Sequence, residues 1–273
     1  MSDSTAFFFL ITLPNMSDQK PAILVVHGAY FLPLAWDAFK ASLNSAGFQV
    51  SVPRLPTCGD SRPPTALLSH DVSAVRAAAT ELISAGHRIL VLAHSYGGIV
   101  TSEAITPELY ASNNGGEKGV VSLVYLAAWL VQPGDALTDV IGKYGFQCKV
   151  DLGQNDDGTV YAKNGPESFY NDINEVDSGR AEELAEANVT HNWLGATGKV
   201  TMAPWIDLPT TYVCTTKDLA IMLPLQQSMV KDAMDAPGAK ELVIETIESA
   251  HCPFFSRPEE LIKVLQRAVA RAI

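Results

Sequence analysis

Apolar and polar residues alternate along the chain in blocks that predict strands and helices in turn. Strands are predicted at 22–26, 49–52, 89–92, 120–127, 211–215 and 241–247. Those at 22–26, 89–92 and 120–127 are nearly continuous apolar runs, typical of strands covered on both faces. Stretches in which apolar residues recur every three or four positions predict helices at 34–45, 69–85, 223–234 and 258–272. Strands that alternate with helices in this way predict a mostly parallel, doubly wound sheet of the α/β class.

One long segment interrupts this alternation. Residues 131–206 contain twelve acidic and five basic residues, and so carry seven of the eleven net negative charges of the chain. We interpret this segment as a cap inserted over the edge of the sheet where the strands end. A chain of 273 residues is long enough to bury one large core, so a single domain over 1–273 is expected.

Residues 1–20 are predicted to form an N-terminal extension. The apolar block at 7–13 has no Lys or Arg before it and is too short to cross a bilayer, so neither a secretory signal nor a membrane anchor is expected. Two interpretations stay open: the block adds an edge strand, or Met16 is an alternative start.

The charge and the cysteines narrow the possible partners. A net charge of −11 repels nucleic acids and anionic membrane surfaces, so neither is an expected partner, and a neutral small molecule fits better. The four cysteines are widely spaced and form no Cys-x-x-Cys or Cys/His pattern, which predicts free thiols and no metal site. Free thiols indicate a reducing compartment, and we expect the cytoplasm.

A candidate nucleophile lies between a predicted strand and a predicted helix. The stretch Ala93-His94-Ser95-Tyr96-Gly97 has small residues two positions before and two positions after the serine. Such spacing permits a strained turn that presents the serine hydroxyl at the N-terminus of a helix. The alternative is a buried serine that caps the helix. Ala93 replaces the usual first glycine, which adds only one methyl group to the turn.

Two further candidates follow the last two predicted strands. His251 follows the strand at 241–247, and Asp218 follows the strand at 211–215, so both should emerge at the same sheet edge as Ser95. Asp135 is a rival acid, but six residues separate it from its strand. Glu248 lies within the last strand region and Asp207 lies at the wrong end of its strand. The chain order Ser, Asp, His is that of alpha/beta-hydrolase triads.

The chain resembles the alpha/beta hydrolases, and most closely the branch that contains plant methylesterases and hydroxynitrile lyases. The matching stretches span most of the predicted catalytic part, whereas the cap matches poorly; they are 25–29, 93–98, 126–128, 212–218 and 249–251. The resemblance implies the alpha/beta-hydrolase fold, with His251 as general base and Asp218 orienting its imidazole. It also implies an oxyanion hole formed by the backbone N–H groups of Ala29 and Tyr96, and no metal or organic cofactor.

The expected function is hydrolysis of a small carboxylic ester or lactone, which would be the partner molecule. Candidates for the substrate pocket are Tyr30, Trp129, Trp193, His191 and Cys252, although the aromatic residues are equally common in cores and His191 could instead face water. Hydroxynitrile lyases of this branch carry a lysine where Cys252 lies, which disfavours lyase activity. A receptor that binds a ligand with slow or no turnover is the third hypothesis, and the oligomeric state is left open.

Overall fold

The computed structural model describes residues 20–59, 61–144, 148–175, 177–239 and 242–272. These residues contain nine strands, which are β1 (Ala22–Val26), β2 (Val50–Ser51), β3 (Arg88–His94), β4 (Gly119–Leu126), β5 (Leu152–Gln154), β6 (Thr159–Ala162), β7 (His191–Asn192), β8 (Thr210–Thr215) and β9 (Val243–Ile247). The helices are α1 (Asp37–Ser45), α2 (Leu68–Ser84), α3 (Gly97–Ala104), α4 (Leu137–Lys143), α5 (Gly165–Phe169), α6 (Arg180–Glu186), α7 (Pro204–Asp207), α8 (Leu223–Met234), α9 (Pro253–Ser256) and α10 (Pro258–Ala272).

Six strands form one parallel sheet in the order β2-β1-β3-β4-β8-β9. Every residue of β1 is buried, and so are all residues of β3 except the first, because helices cover both faces of the sheet. Alternate residues of β1 accordingly enter two different apolar clusters, one containing residues of α2, α3 and α8, and the other containing residues of α1 and α10. The predicted fold class is therefore confirmed.

Most predicted elements occur at the predicted positions. Helices α8 and α10 have the predicted bounds, whereas the helix expected at 34–45 is divided into a 3₁₀ turn at Pro33–Trp36 and α1. Proline at the start of the turn has no N–H to donate, which favours this tight entry. The apolar block at 7–13 and Met16 lie outside the described residues, so the two interpretations of them stay open.

The segment at 131–206 contains a second, smaller structure. Strands β5, β6 and β7 form an antiparallel sheet, and the segment also contains α4, α5, α6 and a 3₁₀ turn at Trp193–Thr197. Three backbone hydrogen bonds join this segment to the loops that follow β1 and β2. Val189 N–H donates to Tyr30 O at 2.9 Å, Asn192 N–H donates to Thr57 O at 2.8 Å, and Gly59 N–H donates to Thr190 O at 2.8 Å. Its backbone is thus anchored beside the ends of the parallel strands.

Two further findings bear on the predictions. All four cysteines are unpaired. Within the described part of the chain, none of the helices combines the length and the apolar character needed to cross a membrane.

Candidate active site

The turn after β3 holds Ser95 in an unusual backbone conformation. Its φ angle is +53°, in the left-handed region that residues other than glycine seldom occupy. Two glycines make the turn possible, because a Cβ on Gly97 would collide with the Val26 carbonyl and a Cβ on Gly98 would collide with the Trp129 carbonyl. Ser95 thus stands between the end of β3 and the start of α3, as its motif predicts.

His251 and Asp218 are in direct contact. The imidazole Nδ1 of His251 donates to Asp218 Oδ2 at 2.8 Å, and both side chains are buried. The other carboxylate oxygen, Oδ1, accepts the backbone N–H groups of Ala220 at 2.7 Å and Ile221 at 2.9 Å. This arrangement fixes the orientation of the carboxylate and leaves Nε2 of the imidazole as the nitrogen available for proton transfer.

Two further side chains, those of Thr215 and Gln226, donate hydrogen bonds to the Asp218 carboxylate. Oδ2 accepts from the Thr215 hydroxyl at 2.9 Å and from the Gln226 amide at 3.4 Å. The Gln226 amide is itself fixed, since its oxygen accepts the Thr215 N–H at 3.0 Å and its nitrogen donates to the Ile221 carbonyl at 2.6 Å. The carboxylate partner of His251 is therefore Asp218 and not the rival Asp135, whose backbone is bonded to Gln132 and Val200.

A glycine brings the loop after β1 close to Ser95. A Cβ on Gly28 would lie 2.9 Å from Cβ of Ser95, closer than such atoms pack. The loop is held by His27, whose Nδ1 donates to the Gly28 carbonyl at 2.9 Å and whose Nε2 accepts the Leu55 N–H at 3.2 Å. Burial lowers the pKa of His27 to about 4, so that the ring is neutral at neutral pH. The next residue, Ala29, lines the cavity described below.

Ser95 and His251 line the same cavity, which has a volume of about 290 Å³. Its walls come both from the loops of the parallel sheet and from the segment at 131–206, and they include Tyr30, Tyr96, Trp129, Leu137, Phe169 and Trp193. Among the described residues that line it, no side chain is an aspartate, glutamate, lysine or arginine. The cavity therefore suits an uncharged molecule with apolar groups.

Four of the five pocket candidates line this cavity, and one does not. Tyr30, Trp129, His191 and Trp193 line the cavity together with the oxyanion-hole candidates Ala29 and Tyr96. Cys252, by contrast, lies outside the lining. Its side chain is 1% exposed and belongs to the apolar cluster on the α1 and α10 side of the sheet, where burial raises the pKa of the thiol. The turn that directs His251 into the cavity directs the following residue into the core.

His191 is buried and does not face water. Its ring lies 4.7 Å from the Tyr96 ring and 6.0 Å from the Tyr30 ring, centroid to centroid, in edge-to-face arrangements. Both ring nitrogens are buried and without a hydrogen-bond partner among the described residues. Burial lowers the pKa of His191 to about 3, which keeps the ring neutral.

Several residues of the site were not predicted from the sequence. Phe31, Phe169 and Ile221 line the cavity, and Gln226 orients the acid from α8. Asp71 accepts a hydrogen bond from the phenol of Tyr96, on the otherwise apolar buried face of α2. Among these positions only Asp71 could have been noticed in the sequence, because it is an acidic residue on the apolar stripe of a helix. No group of three or more His, Cys, Asp or Glu suited to hold a metal ion occurs in the described residues.

Comparison with known proteins agrees with this architecture. A probable hydrolase of a Phoma species is 27% identical over 250 residues, covering 90% of this chain and 97% of that protein. Methylesterase 7 of Arabidopsis thaliana is 25% identical over 266 residues, covering 92% and 96% respectively.

Solved structures show the same fold. Tomato methylketone synthase I, complexed with 2-tridecanone, has a TM-score of 0.70 and 19% identity, covering 93% of this chain and 99% of that chain. A pyrethroid hydrolase from Sphingobium faniae has a TM-score of 0.64 and 20% identity, covering 92% and 97%. The model of the alpha/beta hydrolase family matches residues 23–264, and the chain belongs to that family.

Proposed function

We propose that this hydrolase cleaves uncharged carboxylic esters or lactones through an acyl-enzyme formed on Ser95. The observation that carries the proposal is the hydrogen bond of 2.8 Å between His251 Nδ1 and Asp218 Oδ2. His251 lines the same cavity as Ser95, which lies on a strained turn. A nucleophile, a base and a group that orients the base are the parts required for acyl transfer.

In the acylation step, Ser95 Oγ attacks the ester carbonyl while His251 Nε2 takes the hydroxyl proton. Asp218 stabilises the imidazolium that forms. The carbonyl oxygen becomes an oxyanion, which accepts hydrogen bonds from the backbone N–H groups of Ala29 and Tyr96. Collapse of this intermediate breaks the bond to the alcohol oxygen, and the alcohol leaves with the proton of His251.

In the deacylation step, a water molecule loses a proton to His251 Nε2 and attacks the acyl carbonyl. The second tetrahedral intermediate collapses to release the carboxylic acid, and the proton returns to Ser95 Oγ. With a lactone, the released alcohol and acid belong to one molecule. No atom outside the chain, the substrate and water takes part in either step.

The cavity supports an uncharged substrate. None of its described lining residues provides a fixed charge that could pair with an ionised group, and burying an unpaired charge in an apolar cavity costs several kcal/mol. Two similar proteins are named as a methylesterase and a pyrethroid hydrolase, which is consistent with ester cleavage. Because one fold supports many reactions, the proposal depends on the site itself more than on those names.

A fluorophosphonate probe and a panel of p-nitrophenyl esters test the proposal. We expect the probe to label Ser95, and p-nitrophenyl butyrate to be cleaved far faster than the anionic p-nitrophenyl hemisuccinate. Both labelling and turnover should be lost in Ser95→Ala. Turnover that survives this substitution would contradict the proposal, and labelling of Ser95 without turnover of any ester or lactone would favour a receptor.

A further inference from the structure

A buried carboxylate lies directly behind the residue that follows the nucleophile. Asp71, in the first turn of α2, accepts the Thr57 backbone N–H at 2.9 Å, the Thr57 hydroxyl at 2.6 Å and the Tyr96 phenol at 2.8 Å. Its side chain is fully buried, and burial raises its pKa while these three hydrogen bonds oppose the rise. Burial of a carboxylate is unfavourable unless donors of this kind surround it.

Tyr96 is therefore held at both its backbone and its phenol. Its backbone enters α3, where its carbonyl accepts the Ile99 N–H at 3.0 Å, and its phenol is held by Asp71. The peptide bond that joins the strained Ser95 to Tyr96 carries the Tyr96 N–H, which we assign to the oxyanion hole. Movement of the phenol would therefore tilt this N–H, and oxyanion stabilisation depends steeply on where such a donor points.

The segment at 131–206 meets the same point. The Gly195 carbonyl lies 3.4 Å from the Tyr96 phenol oxygen, and a Cβ on Gly195 would lie only 2.9 Å from that oxygen. The Asn192 N–H donates to the carbonyl of Thr57, the residue that supplies two of the donors to Asp71. Helix α2, the loop after β2 and the turn after β3 thus meet at one carboxylate, and the segment at 131–206 contacts two of its partners, Thr57 and Tyr96.

An acid is unusual on this apolar face of the helix. Residues Leu68, Val72 and Val75 on the same helix are buried in an apolar cluster, which an apolar side chain at position 71 would extend without any cost of burying a charge. It would, however, leave the Thr57 N–H, the Thr57 hydroxyl and the Tyr96 phenol without this acceptor, so the hydrogen bonds and not the apolar packing account for the acid. Two of these bonds hold Thr57, and the third is a directional bond to the phenol of Tyr96.

We propose that Asp71 is a positioning residue that holds the Tyr96 N–H toward the oxyanion that forms in the transition state. This inference rests on the proposed ester hydrolysis at Ser95. It assigns Asp71 no contact with the substrate. Loss of its bond to the phenol should therefore lower kcat much more than it changes KM.

Asp71→Asn and Tyr96→Phe test this role from both sides of the bond. Because Oδ1 accepts the Thr57 N–H, the amide NH₂ of the Asn variant takes the place of Oδ2 and faces two hydroxyl groups, so the phenol can no longer donate there. With p-nitrophenyl butyrate, we expect kcat to fall about 10- to 100-fold in each variant, with KM within about threefold of wild type. The double variant should be no slower than the slower single variant.

A matched control breaks a similar bond away from the cavity. Tyr110 donates from its phenol to Asp207 Oδ2 at 3.3 Å, and Tyr110→Phe should leave kcat within about twofold of wild type. Affinity for a trifluoromethyl ketone, which forms an oxyanion with the serine, should fall in parallel with kcat/KM in the Asp71 and Tyr96 variants.

Three outcomes would overturn the role of Asp71: wild-type kcat in Tyr96→Phe, losses that add in the double variant, or an equal loss in Tyr110→Phe. Tyr96→Phe decides the first of these even where Asp71→Asn does not fold, because it removes only a hydroxyl group. Ser95→Ala in the same assay separates the two proposals. Turnover by Ser95→Ala would refute ester hydrolysis at Ser95, whereas an inactive Ser95→Ala beside a fully active Tyr96→Phe would refute only the role of Asp71.

Discussion

Asp218→Asn should inactivate the enzyme by reversing the direction of one hydrogen bond. The two backbone N–H groups on Oδ1 require an acceptor there, so the amide oxygen of the Asn variant must take that place. The amide NH₂ then faces His251 Nδ1 and donates to it. The imidazole is consequently held with its proton on Nε2, in the tautomer that cannot accept the proton of Ser95.

The loss follows from this tautomer. In a serine protease the equivalent change lowers kcat by about 10⁴, which corresponds to roughly 5 kcal/mol of transition-state stabilisation, and we expect a similar loss here. KM for p-nitrophenyl butyrate should change little, because Asp218 does not line the cavity. Asp135→Asn is the matched control, with a loss below tenfold. A variant of Asp218 that keeps more than about a hundredth of wild-type kcat, or a larger loss at Asp135, would refute the assignment.

Three other changes have defined outcomes. Gly28→Ala should lower kcat about tenfold or more while the protein still folds, because the new Cβ would lie 2.9 Å from Cβ of Ser95; wild-type kcat would show that the loop yields. Ser95→Ala should melt within a few degrees of wild type, since it opens no core cavity, and a large drop in Tm would show a structural role. The pKa of His191 is about 3 in the folded protein and about 6.5 in the unfolded chain. Below pH 6.5 the unfolded chain therefore binds a proton that the folded protein does not bind, so the contribution of the neutral ring to stability is full above pH 6.5 and is progressively lost as the pH falls. Between pH 7 and pH 5, urea unfolding should therefore show wild type losing about 2 kcal/mol more than His191→Leu, and equal losses would contradict a neutral buried ring.

The sheet and its helices could be predicted because each carries a local signal. Helix α10 has one apolar stripe and a proline at its first position, and β1 is a run of five buried aliphatic residues, so both were predicted with their observed bounds. The turn at Pro33–Trp36 was missed because a 3₁₀ turn and an α-helix share nearly the same apolar spacing.

The residues of the candidate site also differ in whether a local sequence signal marks them. Ser95 follows β3 directly, while Asp218 and His251 come three and four residues after the ends of β8 and β9. Parallel strands place such positions at one edge of the sheet whatever the details of packing. The cavity walls have no comparable rule, because Leu137, Phe169 and Trp193 come from separate parts of the segment at 131–206 and meet only through tertiary packing. Cys252 is a pocket candidate because the resemblance puts it where hydroxynitrile lyases carry a lysine, and that prediction is wrong because its side chain turns into the core. No local pattern shows which way a side chain points after a strand.

The most direct test of the account is to trap the acyl-enzyme. Wild-type protein is mixed with p-nitrophenyl butyrate, the release of nitrophenol is followed before steady state, and a sample quenched during the burst is digested for mass spectrometry. We predict a burst equal to the enzyme concentration and one butyryl group on the peptide that contains Ser95, both absent in Ser95→Ala. Turnover in which the butyryl group is found on another residue, or which Ser95→Ala carries out equally well, would contradict the account.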